Sequence, residues 1–381
     1  MITTDCHIST PYSVTDALPE KYREHFPRID RRDDGEYLVH PRMSRRQTAM
    51  AGGSNDGFKL PTDDPGAIAK MAWGNVCPEA DPSYDPAELL AQLELDGVFG
   101  AVLIGEAGYL AAGVPIEAQI AYCQVVNDYA AETYGPYLDR LAPGILLPFD
   151  DIAASVKELE RAAALGLRPA LMPEAIDDLQ YYAPEWEPLW EAASALNVPF
   201  TMHVGGRRLS GGQQSTTMEA MMNPTPGKGD IGFYTTSVLM GETLGWFVFG
   251  GVFEKYPDLH VVMTEGYAGW MAFAMQMFDH HTQQSRFAAI SAMMGTTPLE
   301  APPSYYLKRQ AHATFMWDPL AVLARDMTGL DCLLWGNDYP HLEGSFPFSQ
   351  EWNDKQFAGL SDAEIDQITR GNAARIFGIE V

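Results

Sequence analysis

A chain of 381 residues that is 46% hydrophobic and 20% charged is long enough to bury a sizeable core and too apolar for a disordered chain. Its 51 acidic residues against 25 basic ones give a formal net charge of −26, which argues against a nucleic-acid partner. Cys6, Cys77, Cys123 and Cys332 show no zinc-knuckle or redox spacing, no stretch reaches the roughly 18 apolar residues of a membrane span, and the amino terminus carries no signal pattern; a cytoplasmic protein with reduced thiols and no membrane contact is expected.

The chain opens on a strand, Met1 to Thr4, that leads into Asp5, Cys6 and His7. Residues two apart on a strand face the same side, so Asp5 and His7 can reach one ion. From Ile8 to about Pro86, Pro, Gly, Asp and Arg mix with little periodicity. A segment of that length suits a lid or binding loop, with Met43, Met50, Met71 and Trp73 fit for a pocket wall; a surface excursion packed on itself is the alternative. Beyond it the pattern becomes regular: a helix over Pro86 to Asp96, a buried strand over Val98 to Ile104, a helix over Ile116 to Tyr134 and a strand over Leu141 to Leu147. Next come a helix from Ile152 closed by Gly166, a strand from Leu167 to Met172, a helix from Glu185 to Leu196 and the strand Val198 to His203.

Gly205 to about Lys228 is rich in Gly, Ser, Gln and Met and suits an active-site loop. A helical stretch from Ile231 to Tyr256 leads to the strand Leu259 to Thr264, which runs into Glu265, and a helix follows from Gly269 to His280. Two short strands remain, His312 to Phe315 and Cys332 to Trp335, the latter opening the stretch Leu-Leu-Trp-Gly-Asn-Asp-Tyr-Pro-His that places Asp338 and His341 past a strand end. A final helix, Ser361 to Phe377, starts with a capping box of Ser361 and Glu364.

Eight strands alternating with helices predict parallel strands joined by crossovers, and in a chain of this length a closed (β/α)₈ barrel, read here as one domain over residues 1–381 with residues 8–86 and 205–228 as lid and pocket insertions. An open doubly wound sheet is the rival. The ends of the first, fifth, sixth and eighth strands carry Asp5 and His7, His203, Glu265, and Asp338, all of them metal-ligand types, and these can converge on one point only if the sheet closes. His260 and His312 fall at the amino ends of their strands and are expected to be structural.

Asp5-Cys6-His7, Thr201-Met202-His203, Tyr256-Pro257-Asp258-Leu259 leading to Glu265-Gly266-Tyr267-Ala268-Gly269-Trp270, and Trp335-Gly336-Asn337-Asp338-Tyr339-Pro340-His341 together resemble the amidohydrolase-2 group of the amidohydrolase superfamily. That group includes aminocarboxymuconate semialdehyde decarboxylase, resorcylate-type decarboxylases and several hydrolases. The resemblance implies a metal-bearing barrel in which His7, His203 and Asp338 are ligands and Asp5 takes the place of the first His or Glu ligand. Glu265 stands where the related decarboxylases place a histidine, and Ala170-Leu171-Met172-Pro173 offers no lysine for a carboxylate-bridged pair of ions.

By this resemblance the chain is a metal-dependent enzyme that hydrolyses or non-oxidatively decarboxylates a carboxylic or acyl small molecule, with Asp338 handling a proton, Glu265 in the site, and His341 orienting Asp338 or touching substrate. Zinc or iron is expected, as one ion or, given the carboxylate-rich donors, two. The alternative is a nonheme iron or diiron monooxygenase on the same fold, acting on a large apolar substrate such as a diterpenoid. A binding protein would need degraded ligands, and none of the four strand ends shows that. A homo-oligomer is expected.

Overall fold

The computed structural model describes residues 1–41, 53, 57–61, 65–73, 76–105, 113–208, 228–283, 289–290, 293 and 298–380. Eleven strands among them are numbered in chain order: β1 (Ile2–His7), β2 (Arg28–Arg32), β3 (Gly35–Val39), β4 (Phe58–Lys59), β5 (Gly100–Ile104), β6 (Leu141–Pro143), β7 (Ala170–Pro173), β8 (Phe200–His203), β9 (Val261–Thr264), β10 (Ala311–Phe315) and β11 (Leu333–Trp335). Two parallel sheets, β1-β5-β6 and β7-β8-β9-β10-β11, make up the barrel. They meet at two seams. Ile145 bridges to Ala170 at one, and Cys6 bridges to Tyr339 at the other, where the His7 N–H also donates to the Tyr339 carbonyl at 2.7 Å. Every barrel strand therefore has a neighbour on both sides, as the closed-barrel reading requires.

Alternation along the strands divides the core in two. Ile2, Val102, Ala142, Val262 and Leu334 fill the barrel's amino end together with Ala373, Ile376, Phe377 and Ile379 of the carboxyl-terminal segment, which plugs that end. Their neighbours in sequence, among them Ala101, Leu103, Phe200, Val261, Met263, Phe315 and Trp335, face the surrounding helices in the main cluster. Trp190 packs against Trp186, Phe200 and Phe247, all four of them fully buried, and each such side chain stabilises the fold by about 1.5–3 kcal/mol.

Two elements differ from the sequence expectation. The last helix keeps its capping box at Ser361 but is three pieces, Asp362–Asp366, a π turn over Gln367–Gly371 and Asn372–Phe377. The Thr369 hydroxyl donates to the Ile365 carbonyl and Gly371 adds no helix preference, so the ladder widens there. The aperiodic segment after His7 contains an antiparallel sheet, β2-β3-β4, whose first strand is charged and partly exposed and so carries no apolar alternation to read. Met43 and Met50 lie outside the described residues, as does 209–227 of the second loop.

Gly336 sits where β11 leaves the barrel, and a Cβ there would come within 2.7 Å of Asp5 Cβ and 3.1 Å of the Asp5 backbone nitrogen. Gly336→Ala is therefore expected to cost about 1–3 kcal/mol in denaturant unfolding, the usual range for overpacking a buried contact; unchanged stability would contradict this packing.

Candidate metal centre

The barrel's carboxyl end is built from strand ends that bend toward its axis. In β1 the register against β5 shifts between Thr3 and Cys6, so Cys6 packs in the outer core while Asp5 and His7 turn inward. His7 Nε2 lies 3.3 Å from Asp5 Oδ1, so both reach one point. His203, paired in register with Pro173 of β7 and Thr264 of β9, donates from Nδ1 to the Val204 carbonyl at 2.8 Å. That bond fixes the tautomer and leaves Nε2 facing the site. There it stands 3.1 Å from His7 Nε2, 3.0 Å from Glu265 Oε2 and 3.7 Å from Asp5 Oδ1. Asp338 completes the group, with Oδ1 3.1 Å from His7 Nε2 and 2.8 Å from His341 Nδ1.

Three of the four left-handed non-glycine residues among those described are Glu265 (φ 61°), Tyr267 (φ 58°) and Asp338 (φ 54°). A side chain held in that region costs on the order of 1–3 kcal/mol and persists where surrounding structure dictates it. Around Asp338 that structure is a buried polar network. The Asn337 N–H donates to Thr3 Oγ1, its amide donates to Asp96, and the Ser349 N–H donates to the same Asp96 carboxylate. After β9, Asp318 accepts from the Ala268 and Gly269 N–H groups at 2.8 Å each, which anchors the helix Gly269–Gln283.

Electrostatics in the cluster are strongly perturbed. Burial opposes ionisation of Asp5, yet His203 and His7 beside it hold its carboxyl well below the usual range. Burial works against the His203 imidazolium too, but Asp5 and Glu265 raise its pKa well above the usual value. Asp338 goes the other way: burial first, and then the negative charge of Glu265, push it well above an ordinary carboxylate.

A divalent cation fits these residues. Both oxygens of Asp5 and Oδ2 of Asp338 are buried without a hydrogen-bond partner, a costly state for polar atoms unless a cation supplies the missing interaction. Asp5, His7, His203 and Glu265 present ligand atoms all within 4.8 Å of one another. Bonds of about 2.0–2.2 Å to a common ion set neighbouring ligands roughly 3.0–3.5 Å apart, and the separations around His203 fall at that spacing. His341 stands at hydrogen-bond distance from Asp338. His260 and His312, by contrast, pair with each other at 3.1 Å, and burial brings His312 down to about 3, so that pair is structural.

Sequence reading missed two acidic residues. Glu343 joins Glu265 and Asp338 in a further ligand set, and its position two residues past His341 in the same turn was the available signal. Glu174 follows β7 directly, fully buried, with neither carboxylate oxygen in a hydrogen bond of normal geometry. A cavity of about 1090 Å³ lined by Trp246, Phe249, Phe273 and Met277 contains none of the ligand residues, so the chemistry does not lie there.

Metal-ligand side chains gathered at the carboxyl ends of barrel strands define a metal-dependent (β/α)₈ enzyme. The family model described as Amidohydrolase matches residues 86–379, and the chain belongs to that family. It is 25% identical over 267 residues to a gamma-resorcylate decarboxylase from Polaromonas sp. (strain JS666), covering 66% of this chain and 74% of that one. It shares its fold with an amidohydrolase from Mycobacterium avium subsp. paratuberculosis K-10 (TM-score 0.71, 19% identity, covering 100% and 98% of the two chains). It does so too with 5-carboxyvanillate decarboxylase from Sphingomonas paucimobilis (0.68, 20%, 100% and 99%) and a dihydroxybenzoic acid decarboxylase from Polaromonas sp. JS666 with bound manganese and 2-nitroresorcinol (0.64, 18%, 100% and 97%). The chain is an enzyme of the metal-dependent amidohydrolase and decarboxylase kind.

Glu174 yields a stability prediction. Burial pushes its pKa from the ordinary 4.5 up to about 8, although Arg207, the Gly205 N–H and His203 pull the other way. With the folded value above the unfolded one, the stability it contributes is complete below about 4.5 and is lost as pH rises to about 8. Glu174→Gln is expected to remove that loss, worth on the order of a few kcal/mol, so the variant gains on wild type across this window in denaturation at a series of pH values. Parallel profiles would contradict a neutral buried Glu174.

Proposed function

We propose that this enzyme non-oxidatively decarboxylates a hydroxylated aromatic carboxylate, at a divalent cation held by Asp5, His7, His203 and Asp338 with Glu265 beside them. The observation that carries the reading is the convergence of Asp5, His7, His203 and Glu265 within 4.8 Å of one another, with Asp338 3.1 Å from His7 and buried carboxylate oxygens left over, in a chain whose relatives include decarboxylases of such acids. Carboxylate-rich donors favour a hard cation, manganese or iron, over zinc. When bound, the cation would anchor and polarise a substrate oxygen.

The remaining work falls to the side chains. Loss of carbon dioxide leaves the electron pair of the broken C–C bond on the ring carbon, and one proton must reach that carbon. Asp338 Oδ1 and His341 Nδ1, 2.8 Å apart, can hold that proton between them and release it into the site. Asp338 is fully buried, which limits competition from bulk water at its end of the pair. We also assign substrate enclosure to the described residues of the segments 8–86 and 205–228. Val76 forms a bridge with His341, and the Cys77 N–H donates to the Pro340 carbonyl at 2.8 Å, which supports placing the first of these segments against the site.

The carboxylate-rich set also favours a second reading, oxygen activation at iron on a larger apolar substrate. Turnover without oxygen by the manganese-loaded enzyme separates the two. The test of the main reading is carbon dioxide release from a panel of hydroxybenzoates by wild type and variants. His7→Ala or His203→Ala should strip the metal and abolish release with circular dichroism unchanged, while Glu265→Gln lowers metal occupancy or turnover at least about tenfold. Full metal content in either histidine variant would refute the ligand assignment.

A further inference from the structure

We propose that Tyr267 is a specificity-determining residue whose ring stacks on the aromatic ring of the substrate beside the metal centre. The inference rests on the decarboxylase reading above and deepens it by naming the side chain that selects for a flat ring. Backbone strain is the first observation. Tyr267 sits at φ 58°, in the left-handed region, where a Cβ crowds the backbone and glycine or asparagine is the usual occupant. A tyrosine there costs stability unless its side chain returns it, and this one returns little. It is 51% exposed, and among the described residues its ring meets no other ring and its hydroxyl makes no hydrogen bond. Strain that the fold itself does not repay is found where a side chain serves a ligand.

The turn that carries Tyr267 is locked through its backbone. Asp318 accepts from the Ala268 and Gly269 N–H groups, and the Trp270 indole N–H donates to the Gly266 carbonyl at 2.9 Å and to the Tyr267 carbonyl at 3.1 Å. A Cβ at Gly266 would collide with the Met240 sulfur, so the chain is pinned on that side as well. Glycine at position 267 would satisfy every one of these contacts without the strain. The ring is therefore held still, at a cost, for something outside the turn.

Location identifies what it serves. Tyr267 stands two residues beyond Glu265, whose carboxylate lies 3.0 Å from His203 Nε2, in the loop at the carboxyl end of β9. The loops after β10 and β11 also present rings: Trp317, beside Asp318, is 38% exposed and Phe348 51%. Three successive loops on the carboxyl face thus carry partly exposed aromatic side chains next to the strand ends that hold the metal-ligand residues. An aliphatic acid gains little from such a border. A hydroxylated aromatic ring gains an offset stack on the tyrosine face while its polar groups stay open to the cation and to Asp338.

The test is the dissociation constant of 2-nitroresorcinol, a hydroxylated aromatic with no carboxylate to lose, measured calorimetrically on the full-length manganese-loaded enzyme and two variants. Tyr267→Phe keeps the ring and should bind as wild type does. Tyr267→Gly should bind at least about tenfold more weakly, the scale of a lost aromatic stack and its buried area, with metal content unchanged and a denaturant midpoint no lower than that of wild type. Equal dissociation constants for wild type and Tyr267→Gly would overturn the proposal and leave the decarboxylase reading intact. So would a loss shared by Tyr267→Phe, which would move the contact from ring to hydroxyl, or a lowered midpoint in Tyr267→Gly, which would show that the ring already serves the fold. Failure of the loaded wild type to bind the probe would remove the substrate reading on which the proposal rests, and the proposal with it.

Discussion

Everything at the carboxyl end of this barrel depends on the compensation of buried carboxylates. Asp5 and Asp338 are withdrawn from water with Glu265 close by, and the hydrogen bonds available to them leave oxygens without partners. Such an arrangement is unfavourable in a protein interior unless positive charge is supplied locally. The His203 imidazole supplies part of it when protonated, as its raised pKa indicates, and a divalent cation in the same position would displace that proton and supply more. The site is thus costly to assemble without an ion and favourable to assemble with one.

Closure of the barrel makes the assembly possible. Asp5 and His7 come from the first strand of the chain and Asp338 from beyond the last, and they meet because Thr4 bonds directly to β11 and Cys6 and His7 to the stretch that follows it. An open sheet would leave those strands at opposite edges. The left-handed backbone at Glu265 and Asp338 then turns side chains from the ends of β9 and β11, with β10 between them, toward one centre, and the Asp96, Asn337 and Ser349 network sustains the geometry at Asp338 from behind.

The barrel was legible in the sequence because buried parallel strands are short apolar runs, and runs such as Gly100–Ile104 and Val261–Thr264 stand out between amphipathic helices. The candidate ligands were legible for a related reason: Asp5, His7, His203 and Asp338 each lie in, at the end of or just past such a run, where a polar side chain has a cost unless it is used. Glu343 and Glu174 were not read: one sits in a turn that only the folded loop brings back to Asp338, and the other is buried in the folded chain. The β2-β3 hairpin escaped for the opposite reason. Its strands are held by exposed pairs such as Arg31 with Asp16 and Glu36, and a solvated ribbon writes no apolar alternation.

Anomalous diffraction at the manganese edge from crystals of the loaded enzyme tests the central claim most directly, because it locates the ion without reference to any assay. The account predicts a strong peak within coordination distance of His7 Nε2, His203 Nε2 and a carboxylate oxygen of Asp5. A peak elsewhere on the surface, or a difference map showing the two imidazoles still in direct contact with each other and no ion between them, would contradict it.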